Sequence, residues 1–599
     1  MQKQVLAIAF SVLSALLPLK ALAQNFNDIY VFGDSLVDAG NLFVPTGGAL
    51  PPSPPYFNGR FTNGLVWVET LAPRLGINTN PANNFAVGGA TSGTLNVNSA
   101  LIGLPLPGLQ TEINSFTTAS GAANPNALYV VWAGANDYLG GSTDTTTVVN
   151  NLSNAVTTLT ANGAKNIMVV NLPDLGKTTQ LRLAPNSAAV TALVNTHNSQ
   201  LTAALQTQAQ NLNVNIIPLD TYGLFNEILA EPARYGFTNV TESCLNLAAG
   251  TVCSNPDQYL FWDDIHPTAA AHGLIGEFAY AVLSSPQAVV PQGDIALNVA
   301  RRQVQNINAR LLSLRSVREN PSEQRVGAFV NGNVNFGDKD SNTNEPGFGS
   351  TTIGTTAGID YRVTDNLALG VAVGYVSNNT DLKNNLGNVD IDGYNVSVYS
   401  NFVQDNFYTD AVVSYGWNNY EMRRKIAFDN RTATANPDGN QLSVDVNSGY
   451  NIKSGNFSVG PTVGVRYDRV NIDRYTEEGA GSLNMAVEDQ KAESVVLSLG
   501  AQASVSISTG TGEVIPYVRA SYEHEFANDR REIETELVSQ PGIPMSTTTD
   551  RPDRDYVKLG AGTQVVFSKN VSALIDYETI IGREDFSDQT VKAEIRFQF

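Results

Sequence analysis

The sequence predicts an α/β unit, a parallel sheet flanked by helices, joined by a long helix to a C-terminal twelve-stranded transmembrane antiparallel β-barrel. Three observations predict it. Apolar runs alternate with helical stretches as far as about residue 290, one amphipathic basic helix follows, and period-two alternation then runs to the last residue. At 599 residues the chain is long enough for several domains of about 150 residues each. Charged residues make up 15% and hydrophobic ones 42%, with 24 Phe and 22 Tyr, a composition that argues against intrinsic disorder. The net charge of -20 argues against a nucleic-acid partner, which would need a basic face. Two cysteines and four histidines leave little material for a disulfide scaffold or a His/Cys metal centre, so no metal and no cofactor is expected.

The elements follow in chain order. Residues 1–23 carry Lys3, an apolar run from Val5 to Leu17, then Ala21-Leu22-Ala23. That is the pattern of a cleavable secretory signal, and the run is shorter than the roughly 20 residues an anchoring helix needs. Export puts the mature chain in an oxidising compartment, where Cys244 and Cys253 could pair; two free buried thiols are the alternative, since spacing does not supply the geometry. In 24–290, four apolar runs read as buried strands: Asp28–Phe32, Ala127–Trp132, Asn166–Val170 and Val214–Pro218. Val148–Leu159 and Ala188–Gln208 have helical spacing between them. Continuous apolar strands alternating with helices imply a parallel sheet covered on both faces, with ligands at the carboxyl ends of its strands.

Residues 291–322 form the linker. Ile295, Val299, Val304, Ile307, Leu311 and Leu314 recur at helical spacing from Asp294 to Glu319, with Arg301, Arg302, Arg310, Arg315 and Arg318 on other faces. From 323 to 599 the chain alternates. Leu369, Val371, Val373 and Tyr375 interleave with Gly370, Ala372 and Gly374; Val591, Ala593, Ile595, Phe597 and Phe599 interleave with Lys592, Glu594, Arg596 and Gln598. About twelve such runs of about ten residues each, an even number, suit an outer-membrane barrel. A soluble sandwich would alternate too, but aromatic residues such as Tyr415 and Trp417 near strand ends suit a membrane interface girdle.

The chemistry falls in the first half. Ser35 follows Gly33-Asp34 just past the first strand; alone, this could be a turn or a helix cap. A serine hydroxyl needs a base, and Asp263-Asp264-Ile265-His266-Pro267 supplies one. Asp263, three residues before His266, can hold Nδ1–H while Nε2 faces Ser35; Asp264 is the competing acid. Gly88-Gly89 offers a close-approaching backbone N–H for an oxyanion, and Asn136 in Gly134-Ala135-Asn136-Asp137 a side-chain amide. His197, Asn198 and His272 read as packing or capping residues, and His524 belongs to the barrel. The Pro- and Gly-rich stretch Pro45–Phe57 is either a substrate mouth or a plain surface loop. Asp34 and Asp38, two acids in one turn, do not make a metal site.

Together the four blocks resemble the GDSL, or SGNH, lipase/esterase family, whose signature residues match Ser35, Gly89, Asn136 and His266 in order; Gly88 is the alternative to Gly89. Asn171-Leu172-Pro173-Asp174-Leu175-Gly176 resembles a further block of that family. The resemblance implies an SGNH-hydrolase-like fold, Ser35 as nucleophile, His266 as base and then acid, Asp263 orienting it, and an oxyanion hole from Ser35 N–H, Gly89 N–H and Asn136. The order of signal, passenger, helix and barrel, ending on Phe599, resembles the autotransporter (type V secretion) family. That implies a helix threading the barrel, outer-membrane lipid around it, a passenger at the bacterial cell surface, and periplasmic chaperones and barrel-assembly machinery as partners. The expected activity is carboxylic-ester hydrolysis of lipid-like small molecules. A non-catalytic adhesin or scaffold, and acyl transfer to an alcohol from the same site, are the alternatives.

Overall fold

In the computed structural model of the chain, which describes residues 26–316, 325–342, 345–510 and 512–599, the expected signal segment and Arg318 lie outside the described residues. Four parallel strands, β1 (Asp28–Gly33), β2 (Ala127–Trp132), β3 (Asn166–Val170) and β4 (Asn215–Leu219), pair in the order 1-2-3-4. Helices surround them: α1 (Trp67–Arg74), α2 (Ser99–Ile102), α3 (Leu109–Ser120), α4 (Ala135–Leu139), α5 (Thr145–Ala161), α6 (Ser187–Asn211), α7 (Thr221–Ala230) and α8 (Ala269–Ser284). Every residue of β2 and β3 is buried. The side-chain period of two sends Val130, Trp132 and Met168 to one face, against α1, α7 and α8, and Tyr129, Val131 and Ile167 to the other, against α3, α5 and α6. Both faces are thus covered, which is why these strands read as unbroken apolar runs.

Apolar runs and helical spacing foresee β1–β4, α5 and α6. They do not foresee α1, α3 or α7, nor the short pairs Asn239–Ser243 with Tyr259–Phe261 and Leu245–Asn246 with Thr251–Val252. Cys244 and Cys253, which flank this last pair, are joined by a disulfide.

The second half closes on itself. Twelve antiparallel strands run from Val326–Lys339 to Phe586–Gln598, and the last pairs with the first from Phe586 opposite Lys339 to Gln598 opposite Gly327. Closure leaves no sheet edge, the condition lipid imposes on a spanning sheet. Leu369, Val371 and Val373 point outward, while Ala368, Gly370 and Ala372 are buried. In the last strand Val591, Ile595 and Phe597 face out, and Lys592, Glu594 and Arg596 face the lumen.

The strands are longer than the ten-residue expectation, from 11 residues (Val571–Ile581) to 20 (Phe407–Ile426). Tyr375, Tyr394 and Trp417 lie opposite one another on neighbouring strands and form an outward aromatic row, with Tyr415 packed on Trp417. This row sits mid-strand rather than near a strand end, because pairing continues beyond the apolar band. Above Trp417 the outward residues are Asn419, Glu421, Arg423 and Lys425, a surface suited to water. The inner wall changes in the opposite sense at the same height. Asp410, Ser414 and Asn418 give way to Tyr420, Met422 and Ile426, which pack with residues from the first half.

The linker helix α9 (Gln292–Ser316) runs inside the barrel. Arg310 makes two bonds to Asp360, both 2.7 Å; Arg302 reaches Asp588 at 2.5 Å and Thr590 at 2.9 Å; Arg301 donates to Ser494 at 2.7 Å; and Arg315 pairs with Asp410. Basic helix and acidic lumen therefore satisfy one another where water is scarce. No described helix is long and apolar enough to cross a membrane.

Candidate active site

Three segments distant in sequence converge at the carboxyl edge of the sheet. β1 ends at Gly33, whose φ of +145° turns the chain sharply; a Cβ there would lie 2.0 Å from Trp132 O, so only glycine fits. Ser35 follows in the turn. His266 arrives from the loop between Tyr259–Phe261 and α8, and its Nε2 lies 2.8 Å from Ser35 Oγ. His266 Nδ1 lies 2.7 Å from Asp263 Oδ2. Asp263 Oδ1 also accepts from the backbone N–H of Ile265 (3.0 Å) and His266 (2.7 Å), the tight turn that the three-residue spacing suggests. Its neighbour Asp264 faces the other way and accepts from Ser243 Oγ at 2.7 Å.

Asp263 Oδ2 has another partner, one that no sequence motif signals. Tyr56 Oη donates to Asp263 Oδ2 at 2.6 Å, both groups being buried. Tyr56 lies in the Pro-rich stretch, which supports the acid from behind instead of lining a mouth. Its ring packs against Trp262 and Phe61, and Phe61 in turn covers the His266 ring at 5.0 Å. Burial works to raise Asp263, but the facing His266, together with donors His266, Tyr56 and Ile265, holds it below the ordinary carboxylate value. Burial next to that carboxylate pushes the Tyr56 phenol upward.

Around Ser35, Gly88 N–H is bonded to Asp38 Oδ2 at 2.8 Å, whereas the N–H groups of Gly89 and Ser35 have no partner among the described residues. Gly89 has φ +87°, and a Cβ there would meet Asn98 Nδ2 at 2.3 Å. Asn136, in α4, directs Nδ2 at Ala90 O (3.1 Å) and Asp34 Oδ2 (3.3 Å), so both of its amide protons are engaged. Asp38 also accepts from Gly40, Asn41 and Leu42 N–H and so organises its own loop. Glu112 of α3, another residue without a sequence signal, accepts from Gly33 N–H at 2.8 Å and Val87 N–H at 3.1 Å beneath the turn. Burial raises Asp34 to about 7 and Glu112 well above its usual value.

The remaining singled-out residues lie elsewhere. His197 Nδ1 meets Tyr138 Oη at 2.7 Å, and burial lowers it to about 4. His272 Nδ1 accepts from Trp67 N–H at 3.3 Å, and burial lowers it to about 3. Asn198 brackets the backbone of Leu172, Asn171 bonds Asp220 at the next strand end, and His524 pairs with Asp555 on the barrel.

Family models match both halves: a GDSL-like lipase/acylhydrolase over residues 29–279 and an autotransporter β-domain over residues 328–578. A phosphatidylcholine-sterol acyltransferase of Aeromonas hydrophila is 30% identical over 312 residues, 43% of this chain and 91% of its own. The chain belongs to the GDSL lipase/esterase family. Esterase EstA of Pseudomonas aeruginosa is similar along almost the full length, 26% identical over 649 aligned residues and 97% of either chain. The translocator domain of the autotransporter NalP from Neisseria meningitidis aligns in full with 51% of the chain, at 14% identity and a TM-score of 0.41. This GDSL protein is thus a carboxylic-ester hydrolase joined to an autotransporter barrel of the outer membrane.

Proposed function

We propose that the enzyme hydrolyses acyl esters at the bacterial cell surface, with Ser35 as nucleophile, His266 as base and then acid, and Asp263 as its orienting partner. The observation that carries this reading is the unbroken Ser35–His266–Asp263 hydrogen-bonded line. His266 Nε2 takes the proton as Ser35 Oγ attacks the ester carbonyl, and Asp263 stabilises the imidazolium. The developing oxyanion is met by the N–H groups of Ser35 and Gly89. Asn136 joins them by giving up its longer bond, the one to Asp34. One such donor is worth about 3 kcal/mol in the transition state. Collapse expels the alcohol with the proton from His266, and water, activated by the same imidazole, releases the acid and restores Ser35. The substrates are lipid-like esters that reach the passenger from outside, and chaperone and barrel-assembly machinery deliver the chain to the membrane.

A second reading has support of its own: the relative at 30% identity is named an acyltransferase. There an alcohol replaces water at the acyl-enzyme, with no change of residues. Full-length Ser35→Ala, displayed on cells at the wild-type level, should lose hydrolysis of p-nitrophenyl esters by at least ~10³-fold. Comparable turnover in the variant would reject the nucleophile. Product analysis with competing alcohols separates transfer from hydrolysis.

A further inference from the structure

Ser35, Asn136 and His266 open onto an internal cavity of about 80 Å³ that the catalytic reading does not use. Its walls include Leu175, Leu224, Phe225, Ile228, Phe261 and Ile275, drawn from the turn after β3, from α7, from the strand before His266 and from α8. Away from the reacting groups the lining is apolar except for Thr178 and Thr221. A polar end that performs ester chemistry and an apolar body behind it match a fatty acyl chain whose carbonyl sits at Ser35. Each methylene taken from water into such a space is worth about fourfold in binding.

One wall of this cavity is held from the other half of the protein. Glu227 lies on α7 between the lining residues Phe225 and Ile228. Its Oε2 accepts from Arg431 at 2.5 Å, and its Oε1 from Ser482 N–H at 2.9 Å; Arg431 opens a short strand, Arg431–Ala435, paired with the end of the barrel strand Phe407–Ile426, and Ser482 lies in a turn beyond it. Arg431 also donates to Tyr235 Oη at 2.6 Å and Ala480 O at 2.8 Å, and its guanidinium stacks over Phe428. Phe428 in turn packs on Phe278 of α8, the opposite wall's helix. The barrel loops therefore fix the separation of α7 and α8.

We propose that the acyl chain of the ester lies in this cavity, between walls that the barrel sets through Arg431, so that the membrane anchor helps determine the chain length accepted. The proposal rests on Ser35 being the nucleophile, and the test separates the two. The readout is the ratio of kcat/KM for p-nitrophenyl decanoate to that for p-nitrophenyl acetate, measured on full-length protein at matched surface display. Half-buried Ile275 tolerates a change of size, and Ile275→Trp should lower the ratio at least tenfold while Ile275→Ala raises it. Arg431→Gln and, independently, Glu227→Gln should each lower it threefold or more through KM for the decanoate. Parallel changes for both esters in the two Ile275 variants would overturn the acyl site, as would a shift that follows the alcohol when the acyl group is held constant. An unchanged ratio in both Arg431→Gln and Glu227→Gln would overturn the role of the barrel. Failure of the nucleophile reading shows separately, as retained turnover in Ser35→Ala.

Discussion

The two halves obey the same period-two rule with opposite outcomes. In the passenger, β2 and β3 bury both faces, and the buried groups Asp34, Asp38, Glu112, Asp263 and His266 gather around the turn that carries Ser35. In the barrel the apolar side chains face out, and the interior is filled with Asn331, Asn333 and Asn335, with carboxylates, and with the arginines of α9. What counts as inside is decided by the solvent each half meets. The comparison teaches that buried charge is gathered at one turn in the first half and spread along a helix and its surrounding wall in the other.

The comparison predicts that damage to the two charge systems will separate cleanly. The largest effect belongs to the site: Asp263→Asn should cost turnover on p-nitrophenyl butyrate about 10³–10⁴-fold. Asp264→Asn should cost no more than about threefold, since it only loses an exposed bond to Ser243, worth about 1 kcal/mol or less. In neither case should the heat-dependent gel mobility of the barrel change. Equal losses in the two variants would assign the wrong acid. Next is Arg310→Met, which leaves Asp360 buried without its counter-charge and should lower barrel stability by about 3–5 kcal/mol. That is read as a lower unfolding midpoint in detergent, with turnover per folded molecule preserved; lost turnover at full folding would break the division of labour.

An effect of similar total size, spread over about three pH units, sharpens the contrast through pH. Asp34 has an ordinary value of 3.8 and is raised by burial to about 7. The folded protein therefore keeps a proton that the unfolded chain has released, and this contribution is full below about pH 4 and lost as pH rises to 7. Asp34→Asn cannot titrate. Its stability relative to wild type should rise by about 1.4 kcal/mol per pH unit across that window and level off above it. A pH-independent difference in denaturation midpoints would contradict the shift. Smallest is Tyr56→Phe, which removes one donor to Asp263 and keeps the ring packing: kcat should fall about tenfold, with KM little changed. The acid limb of the pH–rate profile should move with it; a changed KM with an unmoved profile would make Tyr56 a packing residue only.

Much of this architecture is legible in the residues because its signals are periodic. Strict alternation exposes the barrel strands, and the Arg-bearing helical spacing of α9 anticipates an acidic lumen. Ser35, Gly89, Asn136 and His266 are legible as ordered blocks, and the turn at Asp263 follows from its distance to His266. Tyr56 was not, because a Pro-rich loop has no period and a lone tyrosine in it carries no sign of a partner 207 residues away. Glu112 reads as an ordinary helix residue, and nothing local reveals that its carboxyl lies beneath the turn that carries Ser35. The length of the strands escaped for a related reason: above Trp417 the outward residues turn polar while backbone pairing, which leaves no mark in hydropathy, continues.

One further contact changes how the whole molecule behaves on a cell. Ile543, from a loop above the barrel, is built into the apolar layer of the passenger among Leu201, Leu205 and Ile216, while Gln540 and Pro541 bond Thr202 and Gln206 of α6. With Arg431 on α7, the hydrolase is pinned at two points instead of swinging on a tether. The face that bears Ser35 is therefore held at one tilt to the barrel axis, and that tilt is an inherited property of the fold.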